Sequence, residues 1–206
     1  MKKDEFTQFV KIPPEIDGIF LTYANEIALI EIAEQYQLSE QDRKIFIQCC
    51  QQNIYRFDSN VNVIIRDLSQ NLSSNNEKIK TLAVTFKDKI QTPLKNTLKE
   101  YYSKIDEEIE NIFFESGNLK ITDKYIHYSP HPQIDPPEPI NSVSNITSYR
   151  NFWRTRYLVT YEVWIPTKGR WGTVERPGSS FTSEKEASAF MEILKRAVAC
   201  GSIRNV

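Results

Sequence analysis

Apolar residues at Ile16, Ile19, Phe20, Tyr23, Ile27, Ile30 and Ala33 recur at steps of three and four, which places them on one face of a helix that opens after Pro13-Pro14. Ser39 followed by Asp42 resembles a weak capping box, and Ile45, Phe46, Cys49, Cys50 and Ile54 continue the period into a second helix. Asp58-Ser59 is placed to cap a third segment through Val61, Ile64, Ile65, Leu68 and Leu72. The run "SSNN" then supplies a break and a cap for Ile79, Leu82, Phe86 and Ile90. Thr92-Pro93 either starts a new helix or kinks a continuing one. Leu94, Leu98, Tyr101, Ile105, Ile109 and Ile112 keep the spacing, so residues 75–113 read as a long rod with one seam. That seam packs inside the chain or against a second copy. Asp106, Glu107, Glu108 and Glu110 form its wet face, since paired carboxylates for acid–base work need a cleft around them.

At Gly117 the period changes from 3.6 to 2. In "NLKITDKYIHY", Leu119 and Ile121, then Tyr125, Ile126 and Tyr128, suit two short strands about a turn at Asp123-Lys124. Five prolines between Pro130 and Pro139 make the next stretch an extended surface loop. In "RYLVTYEVWIP", Tyr157, Val159, Tyr161, Val163 and Ile165 share one side and Leu158, Thr160, Glu162 and Trp164 the other, a long strand with one dry face. Thr167-Lys168-Gly169 turns the chain, and "RWGTVERPG" returns as its partner until Pro177-Gly178 stops it. Ser183 and Glu186 form S-x-x-E ahead of Ala187, Phe190, Met191, Leu194, Ala197 and Val198, a helix apolar on one face only.

The expected architecture is therefore α+β: an all-α bundle or long helical hairpin, then a small antiparallel barrel or sheet capped by a C-terminal helix. Residues 1–14 read as an N-terminal extension, 15–111 as the helical domain and 112–206 as the β-domain. Composition adds that the chain can build a core, with 40% of its 206 residues apolar. The formal charge of -1 conceals an asymmetry. Residues 1–110 hold 14 Lys and Arg against 18 Asp and Glu, and 111–206 hold 12 against 9, so an anionic partner would meet the second half. Cys49, Cys50 and Cys200 are odd in number, two of them adjacent, which fits buried thiols better than a disulfide framework or a zinc site. No apolar run reaches the length of a membrane span, and the N-terminus lacks the pattern of a secretory leader; the expected setting is the cytoplasm.

The stretches "LKIT", "VSNITSY" and "SEKEASAFMEILKRAV" fall where the small bacterial pleckstrin-homology-like (PH-like) domains place their early strands and single C-terminal helix. Residues 112–200 thus resemble that superfamily. The resemblance implies a partly closed antiparallel barrel that binds protein segments or lipid headgroups and seldom catalyses. The basic cluster that phosphoinositide-binding members carry between their first two strands corresponds here to Lys120 and Lys124 alone.

Arg150, Trp153, Arg154, Arg156, Lys168, Arg170, Trp171 and Arg176 gather cations and indoles around the hairpin, opposed between 150 and 176 by Glu162 and Glu175. Such a surface can grip an acidic peptide, because Arg bonds carboxylates bidentately and aromatic residues anchor interfaces. It can also hold phosphates and nucleobases, or anionic lipid headgroups. A third reading makes the tryptophans core or rim and the arginines edge charges that keep sheets apart. His127 and His131 lie four apart but are separated by Pro130, so no helix aligns them on a metal. No nucleophile elbow, P-loop or dinucleotide fingerprint occurs. The expectation is a non-catalytic binding or scaffold protein with no cofactor, docking a protein partner through the hairpin or a strand edge. The alternative is a module directed at nucleic acid or anionic lipid.

Overall fold

A computed structural model describes residues 9–20, 23–55, 57, 60–128, 137–151, 156–165 and 170–204. For Tyr23, Trp164, Ile165, Arg170 and 174–179 it gives the backbone. The chain forms two compact units, one from residues 15–104 and one from 1–14 together with 105–206. Helices followed by two antiparallel sheets and a final helix make the fold α+β, as the change of side-chain period predicts.

The helical unit contains α1 (Pro14–Phe20), α2 (Tyr23–Gln35), α3 (Glu40–Asn53), α4 (Val61–Asn71), α5 (Asn76–Phe86) and α6 (Thr92–Tyr102). Side chains supply the caps that helix N-termini need. Ser39 Oγ accepts from the Asp42 amide at 3.1 Å, and Asn75 Oδ1 accepts from the Lys78 amide at 2.9 Å. The cap of α4 is Asn60, whose Oδ1 accepts from the Asn62 amide; Asp58-Ser59, expected in this role, lies outside the described residues. Ile16, Phe20, Ile32, Phe46, Cys50, Ile64, Leu68, Ile79, Leu82 and Phe86 are buried between the helices.

Between α5 and α6 the backbone stays helical through a π turn, Lys87–Gln91, in which the Thr92 amide reaches back five residues to the Lys87 carbonyl. Pro93 follows at once. A proline ring in a regular helix collides with the carbonyl four residues before it and removes one bond, and the wider turn absorbs both effects. Thr92-Pro93 therefore neither caps nor breaks the helix. The turn also aims the buried Gln91 amide at the Asn53 carbonyl at the end of α3, at 2.7 Å.

The rod stops earlier than its spacing suggests, at Tyr102. Ile105, Ile109 and Ile112 do not continue the stripe: Ile109 is 53% exposed and Ile112 opens a strand. Asp106 folds the chain locally, its carboxylate accepting from the Glu108 amide, so a side chain competes with the helical ladder. Arg204 then takes the Asp106 and Glu107 carbonyls at 3.0 and 2.9 Å, which a helix would have used itself. Ile79, Leu82, Phe86, Ile90, Leu94 and Leu98 are all buried in their own unit, so this part of the seam packs inside the chain, the first of the two expected arrangements.

The second unit has one sheet of four strands in sequence order, β1 (Ile112–Ser116), β2 (Leu119–Thr122), β3 (Tyr125–Tyr128) and β4 (Glu138–Pro139). A second holds β5 (Val143–Arg150), β6 (Tyr157–Ile165) and β7 (Arg170–Phe181), also in order. Gly117, at φ 57°, makes the β1–β2 turn in a region that side chains disfavour. Pro177-Gly178 does not stop β7. The pairing with β6 shifts instead, from Thr160 opposite Glu175 to Leu158 opposite Ser180, and 176–179 bulge out where a proline needs no partner for its missing N–H. The expected turn at 167–169 and most of the proline-rich loop lie outside the described residues.

The last helix, α7 (Glu184–Arg204), packs on both sheets. Ser183 Oγ accepts from the Glu186 amide, and the Glu186 carboxylate reaches back to Thr182. The stripe Ala187, Phe190, Leu194 and Ala197 is buried, with the Phe190 ring 4.9 Å from Phe114 and 5.0 Å from Phe181. At Gly201 a Cβ would come within 2.3 Å of Ile140 Cγ2 and 2.8 Å of the Asp123 carbonyl, so the helix approaches the first sheet where only glycine fits. Residues 9–11 also belong here: Val10 bridges Phe114 at the outer edge of β1. The expected division at 1–14 and 111/112 thus becomes one in which the N-terminal stretch and 105–111 go with the sheets, because backbone and side-chain bonds hold both there.

Candidate docking surface

Strand pairing decides which residues meet along the second sheet. Arg150 of β5 faces Tyr157 of β6, which faces Phe181 of β7. Trp171 of β7 faces Trp164, and Arg170 faces Ile165. Tyr157 and Trp164 are seven positions apart, which at about 3.3 Å per residue separates the two ends by about 23 Å. Those of the eight residues that are described therefore lie apart along the ribbon. Arg150 and Arg156 stand at one end of the ribbon and Trp171 at the other, with Arg170 beside it in sequence. Arg176 lies within the bulged segment of β7, and Trp153, Arg154 and Lys168 fall outside the described residues.

At the first end both cations are exposed. The Arg150 guanidinium lies 5.5 Å from the centre of the Tyr157 ring, a cation–π contact that holds it near the sheet rim. Arg156 is oriented by its backbone, which exchanges bonds with Asn151 (amide to Asn151 Oδ1 at 3.1 Å, Asn151 amide to its carbonyl at 2.9 Å), and by Nη1 donating to Ser180 Oγ at 3.3 Å. Neither arginine has a carboxylate within ion-pair distance among the described contacts, so both keep their charge for a ligand. At the other end Trp171 is 48% exposed.

The strand next to these arginines is the one that the resemblance places at "VSNITSY"; its position at the end of a sheet left little mark in the sequence. The edge of β1 is taken by residues 9–11, β4 is two residues ending in proline, and β7, the other end strand of the second sheet, carries the bulge at 176–179. β5 ends its sheet, and Asn145, Thr147, Ser148, Tyr149 and Arg150 are all exposed. The bulge between Ser144 and Thr147, with Asn145 at φ 46°, leaves Thr147–Arg150 as the regular part of that edge. The inner face of β6 behaves as its alternation predicts, with Val159, Tyr161 and Val163 buried. In the sequence the run "TSYR" after Ile146, with Tyr149 its one large side chain besides arginine, is a weak hint of an exposed strand.

Two polar groupings lie elsewhere in this unit. Asp123 is fully buried and accepts from the Asn111 amide at 3.0 Å, Asn111 Nδ2 at 2.7 Å and Arg204 Nη1 at 2.9 Å. With Arg204 on the Asp106 and Glu107 carbonyls, and Lys124 Nζ also on Glu107, it ties 105–111 to the sheet and to the end of α7. Every one of these groups is satisfied within the fold, which marks the grouping as structural. His127 Nε2 lies 3.0 Å from Glu110 Oε2. Burial pushes the Glu110 carboxyl up, but hydrogen bonds from His127 and Thr122 and the charges of His127 and Lys120 outweigh it and hold it below its ordinary value. Burial raises the Cys49 thiol and raises that of Cys50 further, and all three cysteines are buried thiols. His131 lies outside the described residues. Among the described residues no helix is long and apolar enough to cross a membrane.

Compared with protein-family models, with characterised proteins and with solved structures, the chain matches none.

Proposed function

We propose that the sheet-bearing unit is a PH-like binding domain, and that the protein is a non-catalytic scaffold that docks a partner protein segment along β5, with Arg150 and Arg156 at the end of that strand. The sheet order, four strands then three, and the terminal helix laid on both support the domain assignment. The observation that carries the function is the exposed run Thr147–Arg150 on β5, an end strand of the second sheet. An exposed edge invites an added strand through its backbone groups, and the arginines select a segment bearing a carboxylate. Three buried cysteines in the thiol state suit a cytoplasmic setting.

The test is capture of partners from the native lysate by the wild-type chain and by Arg150→Glu with Arg156→Glu, each at low and high salt. A protein partner retained at high salt, lost with the double variant and protecting β5 amides from hydrogen exchange supports the reading. Capture of nucleic acid or anionic vesicles that falls steeply with salt would replace it with the anion-directed alternative, because phosphate contacts release counterions. Binding unaffected by the double variant would refute this surface.

A further inference from the structure

Backbone bonds decide which groups of β5 face away from its sheet. Beyond the end of the strand the Asn151 amide donates to the Arg156 carbonyl at 2.9 Å, so these two residues form a hydrogen-bonded pair. In an antiparallel ladder such pairs alternate with pairs that exchange no bond, whose amides and carbonyls point to the other side. Counted back along the register, Tyr149 with Leu158 and Thr147 with Thr160 bond across to β6, while Ser148 opposite Val159 and Arg150 opposite Tyr157 do not. Ser148 and Arg150 therefore direct their amides and carbonyls away from β6. Both residues are exposed, and among the described contacts neither bonds to another element.

The same register sorts the side chains, because directly opposed residues share a face of the sheet. Arg150 shares the face of Tyr157 and the buried Val159, in agreement with its place over the Tyr157 ring. Arg156 precedes Tyr157 by one position and lies on the opposite face, where Nη1 meets Ser180, the partner of Leu158. Tyr149, 47% exposed, is on that second face. A strand laid along β5 thus meets Arg150 as its direct neighbour, and the two arginines do not converge on one group.

We infer, on the reading of β5 as the docking strand, that its partner is an antiparallel protein segment with a carboxylate in register with Arg150 and an apolar side chain next to it, against Tyr149. Its backbone bonds go to Ser148 and Arg150. Charge complementarity selects the acid: β5 carries no acidic residue, and Arg150 has no ion pair among the described contacts. The alternation of a strand makes the position strict, since an acid moved by one residue turns to the Tyr149 face.

The experiment selects binders from a displayed library of short random peptides on the wild-type chain and follows backbone amide exchange by NMR, free and with a synthetic winner. In the free chain the Ser148 and Arg150 amides are expected to exchange fast and those of Thr147 and Tyr149 slowly; slow exchange at Ser148 and Arg150 overturns the inference. Winners are expected to slow those two amides and to share one Asp or Glu beside an apolar residue. Moving that acid by one position should weaken binding by about tenfold, the scale of one charge-assisted bond. Selection on Arg150→Glu should replace the acid with Lys or Arg at the same position. Winners that slow Ser148 and Arg150 but lack the acid, or tolerate its shift, overturn the inference and leave strand docking on β5 standing. Winners that slow other amides, or selection that yields none while single-stranded DNA or anionic vesicles bind, overturn both.

Discussion

Removing the Asp123 carboxylate is the most searching perturbation of the sheet-bearing unit. Asp123→Ala strips the partner from Arg204 Nη1 and leaves two Asn111 donors, the backbone amide and Nδ2, facing a space with no acceptor. The Arg204 side chain is 7% exposed and Asp123 is not exposed at all, so water cannot replace what is lost. Breaking a buried pair from one side costs about 3–5 kcal/mol, because an uncompensated charge stays behind. Arg204 keeps its bonds to the Asp106 and Glu107 carbonyls, which argues for the lower half of that range. The three tryptophans, Trp153, Trp164 and Trp171, all lie in this unit, so denaturant unfolding followed by tryptophan fluorescence reports on it alone. The expected result is a midpoint shift at unchanged slope. Asp123→Ala combined with Arg204→Met should cost much less than the two single changes added together, since the orphaned charge has gone. A loss below about 1 kcal/mol for Asp123→Ala, in the range of an exposed pair, would refute the claim that this contact fastens 105–111 to the sheets.

Phe190→Ala removes the ring that α7 places against Phe114 and Phe181, and is expected to cost about 3–5 kcal/mol in the same fluorescence assay; an unchanged midpoint would contradict the packing of this helix. Glu110 supplies a pH dependence: with its carboxyl below the ordinary value in the folded state, its stabilisation is present above the unfolded value and is lost as pH falls through the folded one. Glu110→Gln should therefore flatten the acid limb of a stability-against-pH curve below about pH 4.5, and a limb of unchanged slope would refute the sign.

Local chemistry decided much of what could be read in advance. Ser39, Ser183 and the asparagine run at 75–76 stop helices and start them through bonds that span three residues, so they act before any tertiary contact forms. The alternation from Tyr157 to Ile165 was equally legible, because a half-buried strand must place every second side chain inside. The candidate surface was legible only in part. Arg150 and Arg156 are exposed as their type suggests, Trp171 is exposed against its type, and proximity along the chain does not give proximity along a hairpin.

What the sequence determined by itself is the change from coiled to pleated backbone and most of the core positions, Ile27 and Ile109 being exposed exceptions, since both follow from side-chain period and hydrophobicity over a few neighbours. Tertiary structure alone decided where the last helix of the first unit ends, which strands stand at the sheet ends and where residues 9–11 belong. Arg204 and Phe113 meet Asp106 and Lys11 across about a hundred residues. Bonds between groups that far apart leave no trace in a local pattern, yet here they override it.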